Sequence, residues 1–285
     1  MKITIVGLGL IGGSLGLALR AADQNYHITG WDRDANAVAA AYTCGALTHA
    51  SDSLVAAISD ADLVIVATPV LAVRSVLEAI APQLKPGTIV TDVASTKVHV
   101  LEWAAQLLPA HVTFIGGHPM AGSEQHRITS ARADLLQNAV YCLVPAPNTP
   151  PAALTMLEQM VRRIGARPLH ITASDHDDYV AAVSHVPFVL SAALVQQTAA
   201  DPRWLDMRRL AATGYRDLTR LASGDVVMHR DICLTNATAI GSQLRALAQQ
   251  LDQLATQLND SEALQHFFAT AQQHRDTWLR EREEQ

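Results

Sequence analysis

The first nineteen residues, MKITIVGLGLIGGSLGLAL, constrain the fold more than any other stretch. Ile3, Ile5 and Val6 read as a short buried strand, β-branched and apolar, cut off at once by glycine. Gly7, Gly9 and Gly12 follow at the spacing G-x-G-x-x-G, and an apolar helical run begins with Leu10 and Ile11 and continues to Leu19. Each glycine has a mechanical task in such a unit. Gly7 permits the tight turn out of the strand, Gly9 lets a pyrophosphate approach the backbone, and Gly12 lets the helix pack close to the sheet. The free N–H groups and positive dipole end of the helix then face the phosphates. A second strand, His27–Trp31, runs into Asp32, twenty residues after Gly12, where an acid can hold the two ribose hydroxyls of NAD. Arg33 beside it can accept a 2′-phosphate, so NADP stays open. The rival reading is a glycine-rich turn of some other α/β unit, with Asp32 as a helix cap.

Downstream, strand and helix patterns alternate. Residues 61–68, ADLVIVAT, read as a buried parallel strand that ends at Thr68, and Pro69 opens the next helix at its tolerated first turn. Further strands are expected at 88–93, 112–116, 139–144 and 169–172, with helices at 35–42, 97–108 and 151–164 between them. This rhythm is that of a doubly wound sheet. It stops near Ala173. Residues 175–200, 204–222, 226–258 and 261–282 all read as helix, so a boundary is expected with 1–172 as a dinucleotide-binding domain and 173–285 as a helical domain. Ile240, Leu244, Leu247, Leu251, Leu254 and Leu258 form a heptad seam, which suits either a core-facing helix or a subunit interface.

Composition excludes several classes. A chain of 285 residues with 49% hydrophobic content and mean hydropathy of +0.13 can bury an ample core. Net charge of −6 and a pI near 6.0 leave no electrostatic footprint for nucleic acid. Cys44, Cys142 and Cys233 are widely separated and fit no metal spacing or disulfide framework. The uncharged run over residues 3–19 holds five glycines and follows a single lysine, unlike a signal peptide or a membrane span. A soluble, cytoplasmic protein without a membrane segment is expected.

Polar residues that could carry chemistry cluster where an α/β fold builds its site, after strand ends or in the helical part. Ser95 and Lys97 follow strand 88–93, and His118 follows strand 112–116, with glycines before it and Pro119 fixing the backbone after it. His185 lies in Ser184-His185-Val186-Pro187 at the start of an apolar helix, and Arg216 lies in Thr213-Gly214-Tyr215-Arg216-Asp217. The run Asp175-His176-Asp177-Asp178 reads as a solvated acidic helix start, because consecutive helical residues point in different directions; no metal site is expected.

The phrases VGLGLIGGSLGLAL, DVASTK, GGHPMAGSE, SHVPFVLSAAL and ATGYRDLTRLASGD occur in the order seen in prephenate and arogenate dehydrogenases, and the chain resembles that family from Met1 to about Thr277. The resemblance implies a Rossmann-type domain followed by an all-helical dimerisation domain, a homodimer, and NAD-dependent oxidative decarboxylation of prephenate or arogenate in tyrosine biosynthesis. No attached mutase or regulatory domain is expected. The resemblance also assigns residues. His118 matches the catalytic histidine, Ser95 the serine that contacts it and the substrate hydroxyl, and Arg216 the arginine that binds a substrate carboxylate. Glu124 and His185 match further substrate-site positions, and Gly7, Gly9, Leu10, Ile11, Gly12, Asp32, Arg33 and Thr68 match the cofactor site. One departure stands out: many prephenate-specific members read SHxPH, whereas the second histidine position here is Phe188. Two rivals remain, another dehydrogenase of the 3-hydroxyacid type and a non-enzymatic NAD(H) sensor.

Overall fold

The computed structural model describes residues 1–122 and 127–283. The chain divides into two compact units, Met1–Ile240 and Gly241–Gln285. In the first, β1 (Lys2–Val6), α1 (Leu10–Ala22), β2 (His27–Trp31), α2 (Ala35–Thr43), β3 (His49–Ala50), α3 (Leu54–Ile58), β4 (Leu63–Val66), α4 (Val70–Ile80), β5 (Ile89–Asp92), α5 (Val98–Leu107) and β6 (Thr113–Pro119) alternate in order. Next come β7 (Val140–Pro145), α6 (Pro151–Arg163) and β8 (Arg167–His170), and then helices only: α7 (Ala173–Val180), α8 (Val186–Ala199), α9 (Trp204–Met207), α10 (Thr213–Thr219) and α11 (Val226–Thr235). The helices α12 (Ala237–Thr256) and α13 (Ser261–Glu283) follow, and residues from Gly241 onward make up the second unit.

The eight strands form one sheet in the order β3-β2-β1-β4-β5-β6-β7-β8. The chain reverses its winding between β1 and β4, and such a switch point opens a crevice beyond the strand ends. Side chains on β4 show how two cores share one strand: Leu63 and Ile65 join the core with α1, α2 and α6, while Val64 and Val66 join the core with α3, α4 and α5. All four are buried, as the continuous apolar run requires of a central parallel strand.

Several elements differ from the sequence expectations. Strand β6 extends to Pro119, so His118 lies within a strand paired to Cys142 rather than on a loop after it. Strand β7 runs antiparallel to β6. A parallel return needs a crossover, usually a helix, and the described residues between them hold only a 3₁₀ turn, Ile128–Ser130. Strand β8 lies two residues before its expected place; it is a half-exposed edge strand, with Leu169 at 47%, so hydrophobic pattern sets its register weakly. Residues 173–199 form one long helix interrupted by a π-turn at Ala181–His185. Pro187 has no N–H and its ring would strike the carbonyl one turn back, and a widened turn relieves that clash. By length and hydropathy this helix could cross a membrane, yet it carries the buried polar side chains His176, Asp177 and His185. The expected helix 226–258 breaks at Asn236, and Leu258 of the heptad seam falls beyond the end of α12.

One buried charge pair ties the sheet together at its carboxyl end. Lys97 and Asp92 are fully buried and ion-paired; Asp92 also accepts bonds from the Ala94 and Gly117 amides, at 2.9 and 3.0 Å, and Lys97 donates to the Gly117 carbonyl at 2.8 Å. Gly117 is required here, since a Cβ would press on the Asp92 carbonyl. Burial pushes the Lys97 ammonium down from its ordinary value, and Asp92 opposes that shift. Breaking such a pair leaves one charge stranded in the core. Asp92→Asn is therefore expected to cost about 3–5 kcal/mol, seen as a lower urea midpoint at unchanged slope; a midpoint equal to wild type would show the pair carries no structural burden.

Candidate active site

The crevice at the switch point is a cleft of about 1040 Å³. The loop after β1 and the start of α1 supply Gly7 to Ile11, the loop after β2 supplies Asp32 and Arg33, and the loop after β4 supplies Thr68 and Pro69. Ser95 and His118 line the same cleft, and Met228 and Ile232 of α11 close it on the helical side. Helix α11 reaches this position by packing on α4, with the Thr96 hydroxyl donating to Thr235 at 2.9 Å.

The glycine loop fits a dinucleotide. Gly7 adopts φ +97°, and a Cβ on Gly12 would collide with the Gly7 carbonyl, so the strand, turn and helix meet as closely as the motif requires. Gly9 caps the thirteen-residue helix α1 without a side-chain bond, which leaves the helix start open to an anion. A separate observation also points to a ligand: the Thr68 hydroxyl is buried in the cleft wall with no hydrogen-bond partner among the described residues. Asp32 is held rigidly, accepting from the Leu8 amide at 2.7 Å and the Asp34 amide at 2.9 Å, and each carboxylate oxygen keeps a lone pair for a ribose hydroxyl. Gly7, Gly9, Leu10, Ile11, Asp32 and Thr68 are thus the groups that would hold NAD, with exposed Arg33 at the rim; Gly12 does not line the cleft and acts by letting α1 close on the turn.

In the same cleft stands His118, 8% exposed, the penultimate residue of β6. Its Nδ1 lies 2.9 Å from His176 Nε2, and His176 Nδ1 lies 2.7 Å from Asp177 Oδ1. The two oxygens of Asp177 also accept from the Lys97 and Val98 amides, at 2.7 and 2.9 Å, at the start of α5. Burial above all, with the neighbouring Lys97 ammonium pushing the same way, holds the His118 imidazole well below the usual 6.5. An imidazole in that setting is uncharged at neutral pH and able to accept a proton.

His185 is also buried and is pushed down to about 4, mainly by burial, with Asp177 opposing. Its Nδ1 lies 3.2 Å from the Asn236 amide nitrogen, which also donates to the Asp177 carbonyl at 2.7 Å. Phe188 stands 5.9 Å from the His185 ring and stacks flat on His229 at 4.1 Å.

The structure brings Ser95, His118 and the glycine loop to one cleft; it does not bring Arg216 there. Helix α10 carries Arg216 at the surface, with 74% of its side chain exposed and an ion pair to its neighbour Asp217. Phe188 and His185 are buried and do not line the cleft. Glu124 lies outside the described residues. His176 and Asp177, read from the sequence as part of a solvated acidic stretch, are instead 1% and 3% exposed. Asp175 and Asp178 do face solvent, while 176, 177, 180 and 181 form one buried helix face. The signal was present in the sequence, since His176 and Asp177 precede Val180 and Ala181 by one helical turn.

Comparison with known proteins converges on one family. Residues 15–170 match the family model described as prephenate dehydrogenase, nucleotide-binding domain, and residues 172–273 match prephenate dehydrogenase, dimerization domain. A prephenate dehydrogenase of Bacillus subtilis (strain 168) is 36% identical over 282 residues, covering 97% of this chain and 76% of the relative. A cyclohexadienyl dehydrogenase of Zymomonas mobilis is 30% identical, covering 93% and 92%. The crystal structure of Synechocystis arogenate dehydrogenase superposes with a TM-score of 0.85 at 33% identity, covering 98% of this chain and all of that one. Two family models that together span most of the chain, in the order of its sheet and its helices, show that it belongs to the prephenate dehydrogenase family.

Proposed function

We propose that this protein oxidises and decarboxylates a 4-hydroxycyclohexadienyl acid, prephenate or arogenate, using NAD, as a step of tyrosine biosynthesis. The observation that carries this reading is the uncharged His118 in the wall of the cleft that the glycine loop opens. When bound, NAD supplies the hydride acceptor. His118 takes the proton of the substrate 4-hydroxyl as that carbon is oxidised, and Ser95 holds the hydroxyl in line with the imidazole. Loss of the ring carboxylate as carbon dioxide leaves an aromatic ring, which makes the step irreversible. Asp32 favours NAD over NADP by repelling a 2′-phosphate, and Arg33 beside it keeps NADP within reach. We assign residues 1–172 to the cofactor and 173–285 to substrate binding and dimerisation, in a soluble cytoplasmic enzyme. Asparagine at 118 keeps polarity but offers no basic nitrogen. His118→Asn should leave NADH binding intact while kcat falls by about 10²–10⁴-fold; a near-normal kcat places the base elsewhere.

A homodimer belongs to the same reading. It is supported by the match to a dimerisation domain and by apolar side chains left open on one chain, such as Leu251 at 52% and Trp278 at 53% exposure in the second unit. Within that dimer Arg216 is the group assigned to anchor a substrate carboxylate, with its fork of donors free to turn from Asp217. Leu247→Glu with Leu251→Glu should convert the protein to a monomer by light scattering, and an unchanged mass would remove the seam from the interface.

Phe188 does not line the cleft, and on the first reading it acts on substrate choice from behind His185, whose ring lies 5.9 Å away. The position cannot donate to a keto acid as a histidine would, which favours arogenate at least equally with prephenate. A second reading, that Phe188 only fills space, is supported by its flat stack on His229. Losing one polar contact costs about 1–3 kcal/mol. On the first reading Phe188→His raises kcat/KM for prephenate relative to arogenate; a wild type strictly selective for prephenate, or a variant that gains nothing, supports the second.

A further inference from the structure

The chain Asp177–His176–His118 crosses from α7 to β6, and its hydrogen positions follow from elementary bonding rules. An ionised carboxylate only accepts, so His176 Nδ1, 2.7 Å from Asp177 Oδ1, must carry its proton. A neutral imidazole has one N–H, so His176 Nε2 is left as an acceptor. That nitrogen lies 2.9 Å from His118 Nδ1, which must then be the donor. The proton of neutral His118 is thereby fixed on Nδ1 and the lone pair on Nε2, the nitrogen not engaged by His176. Were the tautomer reversed, two lone pairs would face each other in a site closed to water, at the full cost of an unmade buried bond.

Asp177 has a second task that sets the geometry. Lys97 and Val98 donate their amides to it, so the carboxylate caps the start of α5, two residues beyond Ser95. The negative charge also suits the positive end of that helix. One side chain thus fixes both the orientation of the base, through His176, and the segment that carries Ser95.

We propose that His176 and Asp177 are positioning residues, which lock His118 in its Nδ1–H tautomer and hold it in register with Ser95. This rests on the reading of His118 as the base, and it adds that the lone pair is directed by two side chains that do not line the cleft. After proton transfer the imidazolium still donates to His176, with the carboxylate behind it. The charge is stabilised without any proton leaving for Asp177, as in other histidine–carboxylate pairs. Among the described residues, the titratable groups set around His118 are Lys97 with Asp92 behind it from the β5–α5 segment, Cys142 across the ladder on β7, His185 from the π-turn, and His176 with Asp177 behind it from α7.

Two readouts test this on the full-length protein. In the first, histidine rings are labelled with ¹⁵N, and the His118 resonances are identified by their loss in His118→Asn. At pH 7.5 wild-type His118 should show a protonated Nδ1 and an unprotonated Nε2; the opposite pattern overturns the proposal whatever the activity. The second compares two substitutions. His176→Phe keeps an aromatic shape without an acceptor, whereas His176→Gln can donate its amide N–H to Asp177 and accept from His118 through its oxygen. His176→Phe should lower kcat on the order of 10²-fold or more, because the wrong tautomer forfeits general-base assistance, with KM and NADH affinity within about threefold. His176→Gln should recover most of that loss. A kcat in His176→Phe close to wild type, or an equal loss in both variants, contradicts the assignment. If His118→Asn itself keeps its kcat, the base reading fails, and the ¹⁵N pattern still decides the tautomer claim separately.

Discussion

The buried pair of Lys97 and Asp92 is the constraint on which the site depends. Taking two charges out of water costs several kcal/mol each, and the cost is met only where geometry and extra hydrogen bonds are good. Here both conditions hold. Asp92 ends β5, Lys97 begins the approach to α5, and Gly117 of β6 bonds to both side chains through its amide and carbonyl. Three segments are thereby locked at the carboxyl edge of the sheet. Ser95 sits between the two charged residues in sequence, and His118 follows Gly117 directly. The pair fixes the backbone on both sides of the cleft before either residue meets a ligand.

The helical part is tied to this edge through polar groups rather than apolar packing alone. Thr235 meets Thr96, Asn236 bridges the Asp177 carbonyl and His185, and Asp177 caps α5. Burying so many polar groups is tolerable because each finds a partner, and partnered groups hold one arrangement better than oily contacts do. Two buried histidines, His118 and His185, remain uncharged in this setting. Their depressed values also make the fold acid-sensitive. The unfolded chain takes up protons below about pH 6.5 while these two side chains do not, so their contribution to stability is complete above that pH. It is lost as pH falls toward the folded value, about 4 for His185.

Much of this was legible in the sequence, and the exceptions share a cause. The glycine motif, Asp32 and the strand run 61–68 announced the cofactor cleft because each obeys a local rule: a turn that needs glycine, an acid after the second strand, a continuous apolar run. Ser95 and His118 were placed in the right neighbourhood by strand ends, although β6 runs further than expected because its antiparallel partner β7 extends the ladder to Pro119. His176 and Asp177 were misread as solvated, since adjacent charged residues look alike in sequence until a neighbouring helix start claims one face of them. Arg216 shows the opposite limit. Its motif is specific, yet a single chain leaves it at the surface, paired with Asp217.

A buried, uncharged His118 acting as the proton acceptor is tested most directly by the pH dependence of kcat/KM. The free enzyme is competent only when that imidazole is unprotonated, so activity rises with pH through its pKa and is flat above it. An ascending limb well below 6.5 is expected, with full kcat/KM already reached at pH 6.5, and the residual activity of His118→Asn should lack this limb. A limb at or above 6.5, or the same limb surviving in His118→Asn, would contradict that role.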